Sequence, residues 1–220
     1  MERWVQLVAR QKEFLGTMTV AIGSIMVLWF LDEHEGVSPM LQSTIAAIGI
    51  FLIMPIVYCK FLLGRPLSAL GFQRGNAWAG IGGSILALIV ALVALFVLWN
   101  FTPFLRGYQL PVAVEERFLI FVLYEILLSG FITLLFEVFF RGFVMLLWLQ
   151  KWGVWSVAVQ AAIFGFLVYA SGGVNASMIP ALIFAPFAGL IAYQSKSIWY
   201  SYSASWFFFF LTDVMVLIFR

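Results

Sequence analysis

The chain has 220 residues, of which 64% are apolar, 18% aromatic and only 10% charged, whereas an ordinary soluble domain carries about 25% charged residues; a water-soluble fold is excluded. Twelve Lys and Arg against ten Asp and Glu leave a formal net charge of +2, too small and too dispersed to meet a phosphate backbone, so no nucleic-acid partner is expected. Cys59 has no second cysteine to bond, and with His34, the one histidine, it cannot complete the three or four ligands that zinc takes from a protein, so neither a metal nor another cofactor is expected.

A bilayer core takes about 20 mostly apolar residues per spanning helix. Stretches of that kind run over 14–31, 40–63, 79–100, 118–149, 153–169, 178–194 and 198–219. They predict an all-α polytopic transmembrane bundle of about seven spans, forming one domain over 1–220. Arg3, Arg10 and Lys12 precede the first stretch as they would in a signal peptide, but Asp32-Glu33-His34-Glu35 follows it in place of a small-residue cleavage site, so it reads as a membrane helix. The fourth stretch is too long for one straight span. At 1.5 Å per residue it reaches about 48 Å, so a bend near Ser129-Gly130 or a projecting end is expected.

Cytoplasmic loops carry the excess of Lys and Arg. With the N-terminus inside, that side holds Arg3, Arg10, Lys12, Lys60, Arg65, Arg74, Lys151 and Lys196, and the other only Arg106, Arg117 and Arg220. The expected topology is N-in and C-out in a cytoplasmic or inner membrane. Trp4, Trp29, Trp78, Trp99, Trp148, Trp152 and Trp199 fall near the predicted span ends, where interfacial aromatics belong. Close helix contacts are expected where side chains are small: along Ala181, Ala185, Ala188 and Ala192, at Ala79/Gly83 and Gly80/Ser84, and at Ala158/Ala162 with Ala161/Gly165.

Ionisable groups within a span are costly, and Glu125, Glu137, Arg141 and Asp213 lie in predicted spans. Glu137 and Arg141 stand four apart with the acid first, the favourable order for an ion pair on one helix face. Glu125 stands twelve residues before Glu137, about 120° around and 18 Å along a straight helix, so the two do not form a carboxylate dyad. Asp213, after Phe207–Phe210, reads as an acid near the outer interface, and Glu115-Glu116-Arg117 as a solvated helix start. His34 reads as an exposed loop residue. Ser201, Ser203 and Ser205 alternate near the start of the last span and are not expected to share one helix face.

Phe136-Glu137-Val138-Phe139-Phe140-Arg141-Gly142 resembles the first motif, Glu-Glu-x-x-x-Arg followed by Gly, of the CPBP family, the intramembrane CAAX prenyl endopeptidases and bacteriocin-processing enzymes. Leu70-Gly71-Phe72-Gln73-Arg74-Gly75 before Trp78 is similar to a segment that often precedes a span in that family. Phe164–Val168 resembles its second motif, Phe-x-x-x-His, and Gly189–Tyr193 through Ser197–Trp199 its approach to the third, His-x-x-x-Asn. The resemblance runs over about 65–210 and implies a CPBP-like core. It also places the family's water-activating glutamate at Phe136, its second glutamate at Glu137, its arginine at Arg141, its two histidines at Val168 and Ser205, and its asparagine at Phe209.

Of these positions only Glu137 and Arg141 keep the family residue. Losing the general base and the oxyanion donors would each remove orders of magnitude in rate. The expectation is therefore a non-catalytic relative, a pseudoprotease. It would serve as a subunit or scaffold that binds another integral membrane protein, a lipid or a lipid-like molecule within the bilayer. The alternative is an endopeptidase with an altered site, Glu137 acting as base with help from Ser205, Tyr169 or Asn175; a transporter component is the third reading, although few polar residues line any span.

Overall fold

The computed structural model describes residues 2–29, 38–170 and 175–219; His34 with its acidic neighbours lies outside them. The apolar stretches become helices, as they must where no water can satisfy a bare backbone. In chain order these are α1 (Glu2–Trp29), α2 (Leu41–Leu62), α3 (Ala77–Phe101), α4 (Phe118–Trp152), α5 (Trp155–Ala170), α6 (Ile179–Ser195) and α7 (Ile198–Phe219). No strand occurs among the described residues. The helices α2, α3, α4 and α7, and the segment Ala176–Ser195 containing α6, are long and apolar enough to cross a bilayer, whereas the apolar part of α1, Glu13–Val27, and α5 are shorter. Polar side chains begin the helices where the chain must turn: Asn76 accepts the Ala79 N–H at 3.1 Å to open α3, and Asn175 accepts the Met178 N–H at 3.0 Å ahead of α6.

The fourth span is one continuous helix of 35 residues with irregular turns. Over Tyr124–Ser129 and Glu137–Trp148 its N–H groups reach back five residues, as in Gly130 N–H to Glu125 O and Leu149 N–H to Val144 O. The first wide-turn segment ends at Ser129-Gly130, the place where the sequence suggests a bend. Such wide turns occur mostly as single interruptions of α-helices and often near functional sites. The second begins at Glu137.

The small-residue stripe of α6 is the seam of the bundle, with Ala185, Ala188 and Ala192 buried against α3, α5 and α7. Gly80 of α3 lies against the ring of Tyr200, and Ser84 one turn later donates to the Tyr200 carbonyl at 3.3 Å. The segment before α3 is stitched to the tight turn between α6 and α7. The Asn76 N–H bonds Ser195 O at 2.8 Å, the Ile198 N–H bonds Gly71 O at 3.1 Å, and Gln73 Nε2 reaches Lys196 O at 2.8 Å. Gly75 is required there. Its φ is +55°, and a Cβ would stand 2.0 Å from Ser195 O. On the neighbouring side Gly142 lets the Leu70 carbonyl reach the backbone of α4, since a Cβ would meet it at 2.7 Å.

These contacts gather Arg65, Lys151 and Lys196 toward one end of the bundle, where Ala69, Gln73, Gln150 and Lys196 border a shared cavity. Tyr108, Ser177 and Asp213 mark the opposite end. Trp78, Trp152 and Trp199 are exposed near helix ends, consistent with interfacial belts; the side chains of Trp4 and Trp29 lie outside the described ones. Glu115, Glu116 and Arg117 are exposed ahead of α4, as a solvated helix start should be.

Candidate functional site

Glu137 sits at the start of the second wide-turn segment of α4 and is 1% exposed. A buried carboxylate needs donors or a counter-ion, and Glu137 has both. Arg141, one helical step on, places Nη1 3.6 Å from Oε1. Ser201 Oγ donates to Oε2 at 2.5 Å and Ser205 Oγ to Oε1 at 2.9 Å, both from α7. The expectation that the serines share no face holds for Ser203, which is exposed and bonds Trp199 O. It fails for Ser201 and Ser205. Their spacing of four places both toward α4, and they close on the two oxygens of one carboxylate.

Arg141 is buried too. Its Nη2 donates to Ala185 O of α6 at 3.4 Å, and Gln160 Nε2 of α5 donates to the same carbonyl at 3.0 Å. Gln160 reaches α6 because Gly189 carries no side chain there: a Cβ would stand 2.6 Å from Nε2. Nε of Arg141 and Oε1 of Gln160 have no hydrogen-bond partner among the described residues. The centre thus joins α4, α5, α6 and α7 through polar atoms at the middle of an apolar bundle.

Five of the six positions matched to the family motifs meet at this place. Phe136, Glu137, Arg141, Ser205 and Phe209 border one cavity of about 20 Å³, shared with Thr133, Phe164 and Phe184, roughly the space of a single water. Val168 falls on the far side of Phe136. There both border an apolar cavity of about 540 Å³ together with Phe51, Phe140 and Phe164. Phe136 stacks tilted or edge-on with Phe51, Phe140 and Phe164 at centroid distances of 5.6, 6.1 and 5.7 Å. Aromatic rings therefore wall the carboxylate off from the larger cavity.

The helpers named for an altered peptidase are not in this centre, Ser205 apart. Tyr169 is 72% exposed on α5, and Asn175 spends its side chain on a cap. Glu125 and Glu137 keep separate partners, as their spacing predicts. Asp213 lies toward the end of the bundle opposite the basic one, and it is 4% exposed because the linker after α3 folds back over it and Tyr108 Oη donates to Oδ1 at 2.5 Å. Burial, reinforced by the Asp213 carboxyl beside it, pushes the Tyr108 phenol above its ordinary range, so it stays a donor. Glu125, 1% exposed, faces Asp213 without a hydrogen bond of ordinary geometry at either carboxyl oxygen, while its backbone carbonyl accepts from Trp206 Nε1 at 2.9 Å.

Sequence reasoning missed Ser201 and Gln160 as partners, and Tyr108. The spacing of Ser201 from Ser205 and an amide within the apolar run of α5 were available signals; nothing local marks Tyr108. Among the described residues no cluster of three or more His, Cys, Asp or Glu is placed to hold a metal ion.

This arrangement of apolar helices around a buried ionic centre defines an all-α polytopic membrane protein. Residues 115–211 match the family model described as Type II CAAX prenyl endopeptidase Rce1-like, so this stretch of the chain is similar to that family. All the motif positions from Phe136 to Phe209 lie within the matched stretch, whereas the Leu70–Gly75 segment and α1 to α3 lie before it. No curated protein and no solved structure matches the chain.

Proposed function

We propose that this protein is a non-catalytic CPBP-like integral membrane protein, a pseudoprotease that serves as a subunit or scaffold for another membrane protein, a lipid or a lipid-like molecule. The observation that carries this reading is the state of Glu137. Its two oxygens are taken by Ser201 and Ser205 and its charge by Arg141, in a space of about 20 Å³ bordered by Phe136 and Phe209. A general base needs an acceptor oxygen within reach of a water or substrate proton. This carboxylate is instead spent on holding α4 to α7.

The chain acts as one domain over 1–220 in a cytoplasmic or inner membrane, its N-terminus on the cytoplasmic side, because the end of the bundle that carries Arg65, Lys151 and Lys196 is the more basic one. The alternative, an intramembrane CAAX-type endopeptidase with an altered site, draws on one contact, the Ser205 hydroxyl on a carboxylate. Native mass spectrometry of tagged protein extracted in mild detergent from its source membrane tests the scaffold role. A discrete complex of fixed stoichiometry is expected; a bare monomer overturns it.

A further inference from the structure

At the end of the bundle opposite the basic one, two acids that take no part in the Glu137 centre face each other. Glu125 of α4 is 1% exposed and Asp213 of α7 is 4% exposed. Their carboxyl groups stand in side-chain contact, and Asp213 also accepts on Oδ1 from Tyr108 Oη at 2.5 Å. Both carboxyl oxygens of Glu125 are buried without a hydrogen-bond partner. The Ser129 hydroxyl, one turn on, lies close but makes no bond of ordinary geometry with them, and the Trp206 indole is engaged by the Glu125 backbone carbonyl. Among the described residues neither acid belongs to an ion pair.

The other titratable groups that face the pair are Tyr108 of the linker and Tyr124 of α4, phenols that carry no charge near neutral pH. With both acids ionised, two like charges would meet in an apolar setting with no cation beside them, which is costly. Carboxylates also offer acceptors only, so their contact would contain no hydrogen bond. One proton removes both difficulties: a protonated carboxyl donates to its ionised neighbour, and a single charge remains, the usual outcome where two carboxyls share a site. The partners decide where that proton sits. Asp213 has the Tyr108 hydroxyl, a bond that favours its charged form, whereas Glu125 has no donor, so the proton belongs on Glu125.

We propose that Glu125 and Asp213 form a proton-binding site, in which Glu125 holds one proton and donates it in a hydrogen bond to the carboxylate of Asp213. The chain from Glu125 through Asp213 to Tyr108 then joins α4, α7 and the linker after α3, whose Phe104, Tyr108, Leu110 and Val114 are buried. Loss of the proton sets two charges against each other beneath that linker and loosens it. The site shares no residue with the Glu137 centre and holds whether or not that centre is catalytic, so the two readings fail independently.

The full chain in dodecyl maltoside is followed across a pH series by infrared spectroscopy of the carboxylic-acid C=O stretch and by thermal unfolding. At neutral pH the native protein should show a protonated-carboxyl band that Glu125→Gln removes and Glu137→Gln keeps. Above about pH 4.3, the ordinary value for Glu, the folded chain holds one proton more than the unfolded chain. Its folding constant should therefore fall about tenfold per pH unit and level off once the pair has released that proton. Glu125→Gln, whose amide donates at every pH, should lack this fall. Hydrogen exchange of the linker amides over 104–114, corrected for its intrinsic pH dependence, should quicken in the native chain where the band disappears and stay slow in Glu125→Gln. Absence of the band at neutral pH overturns the proposal, as does a band that survives Glu125→Gln or a pH profile that the variant shares with the native chain. A native thermal midpoint at alkaline pH that is higher in sodium chloride than in choline chloride of equal concentration would assign the pair to a metal cation and also overturn it. If Glu125→Gln fails to fold, the native chain decides alone: the band and the protection of the linker must be lost over the same pH interval, and loss of one without the other contradicts the site.

Discussion

Glu137 is held from three directions, and the consequences of removing it differ from those of removing its partners. The pair with Arg141 was legible in the sequence, because spacing of four on a helix is a local property. The serine clamp was not: Ser201 and Ser205 stand 64 and 68 positions away, and only the packing of α7 on α4 brings them in. Taking one partner from a buried ion pair strands the other charge at a cost of about 3 to 5 kcal/mol, while replacing both by neutral groups of similar shape is often tolerated. Glu137→Ala or Arg141→Ala alone should therefore lower the thermal midpoint in detergent more than Glu137→Gln combined with Arg141→Met. Losses that simply add would show that the two side chains do not form one structural unit. The burial of Asp213 was not legible for the same physical reason: a residue near the end of an apolar run gives no sign of the distant segment, here the one bearing Tyr108, that covers it.

The helices themselves were the most legible elements, since in a bilayer an apolar run of sufficient length has little alternative to helix. Hydropathy located α2, α3, α4, α6 and α7 to within a few residues. The first and fifth stretches also became helices, but with apolar segments, Glu13–Val27 and Trp155–Ala170, shorter than a standard span. The wide turns of α4 were not legible, because they alter hydrogen-bond register without requiring any particular residue; Gly130 and the long span gave only the place to look. At the turn between α6 and α7 the fold depends on a glycine. Gly75 combines a φ of +55° with a Ser195 carbonyl 2.0 Å from where Cβ would stand, and a side chain there must displace the strap that ties α3 to that turn. Gly75→Ala should cost more than about 1 kcal/mol, by strain and overpacking together. Gly82→Ala on α3, with open space around it, should be neutral or stabilise by up to about 1 kcal/mol through helix propensity. Detergent thermal shifts on the two variants check the contrast, and equal shifts would contradict the role given to the strap.

At the scale of the whole molecule, composition placed the chain in a membrane and the distribution of Lys and Arg gave the bundle one basic end. Five of the six motif positions, Phe136, Glu137, Arg141, Ser205 and Phe209, border one small cavity once the helices pack, and residues 115–211 match the corresponding family model. What no local pattern could supply is how that centre is filled. Phe136 and Phe209 border it, the carboxylate accepts one hydroxyl on each oxygen, and Val168 borders a separate apolar cavity. A site built for hydrolysis would keep a polar path for water beside its base; here the rings of Phe136 and Phe164 border both the space at the carboxylate and the larger apolar cavity. The measurement that meets this account most directly is cleavage of a prenylated CAAX peptide by the purified full chain in liposomes, comparing the native protein with Glu137→Gln. The expected result is no cleavage above that of empty liposomes in either sample; turnover by the native protein that Glu137→Gln abolishes would contradict the structural role given to Glu137 and establish an active peptidase.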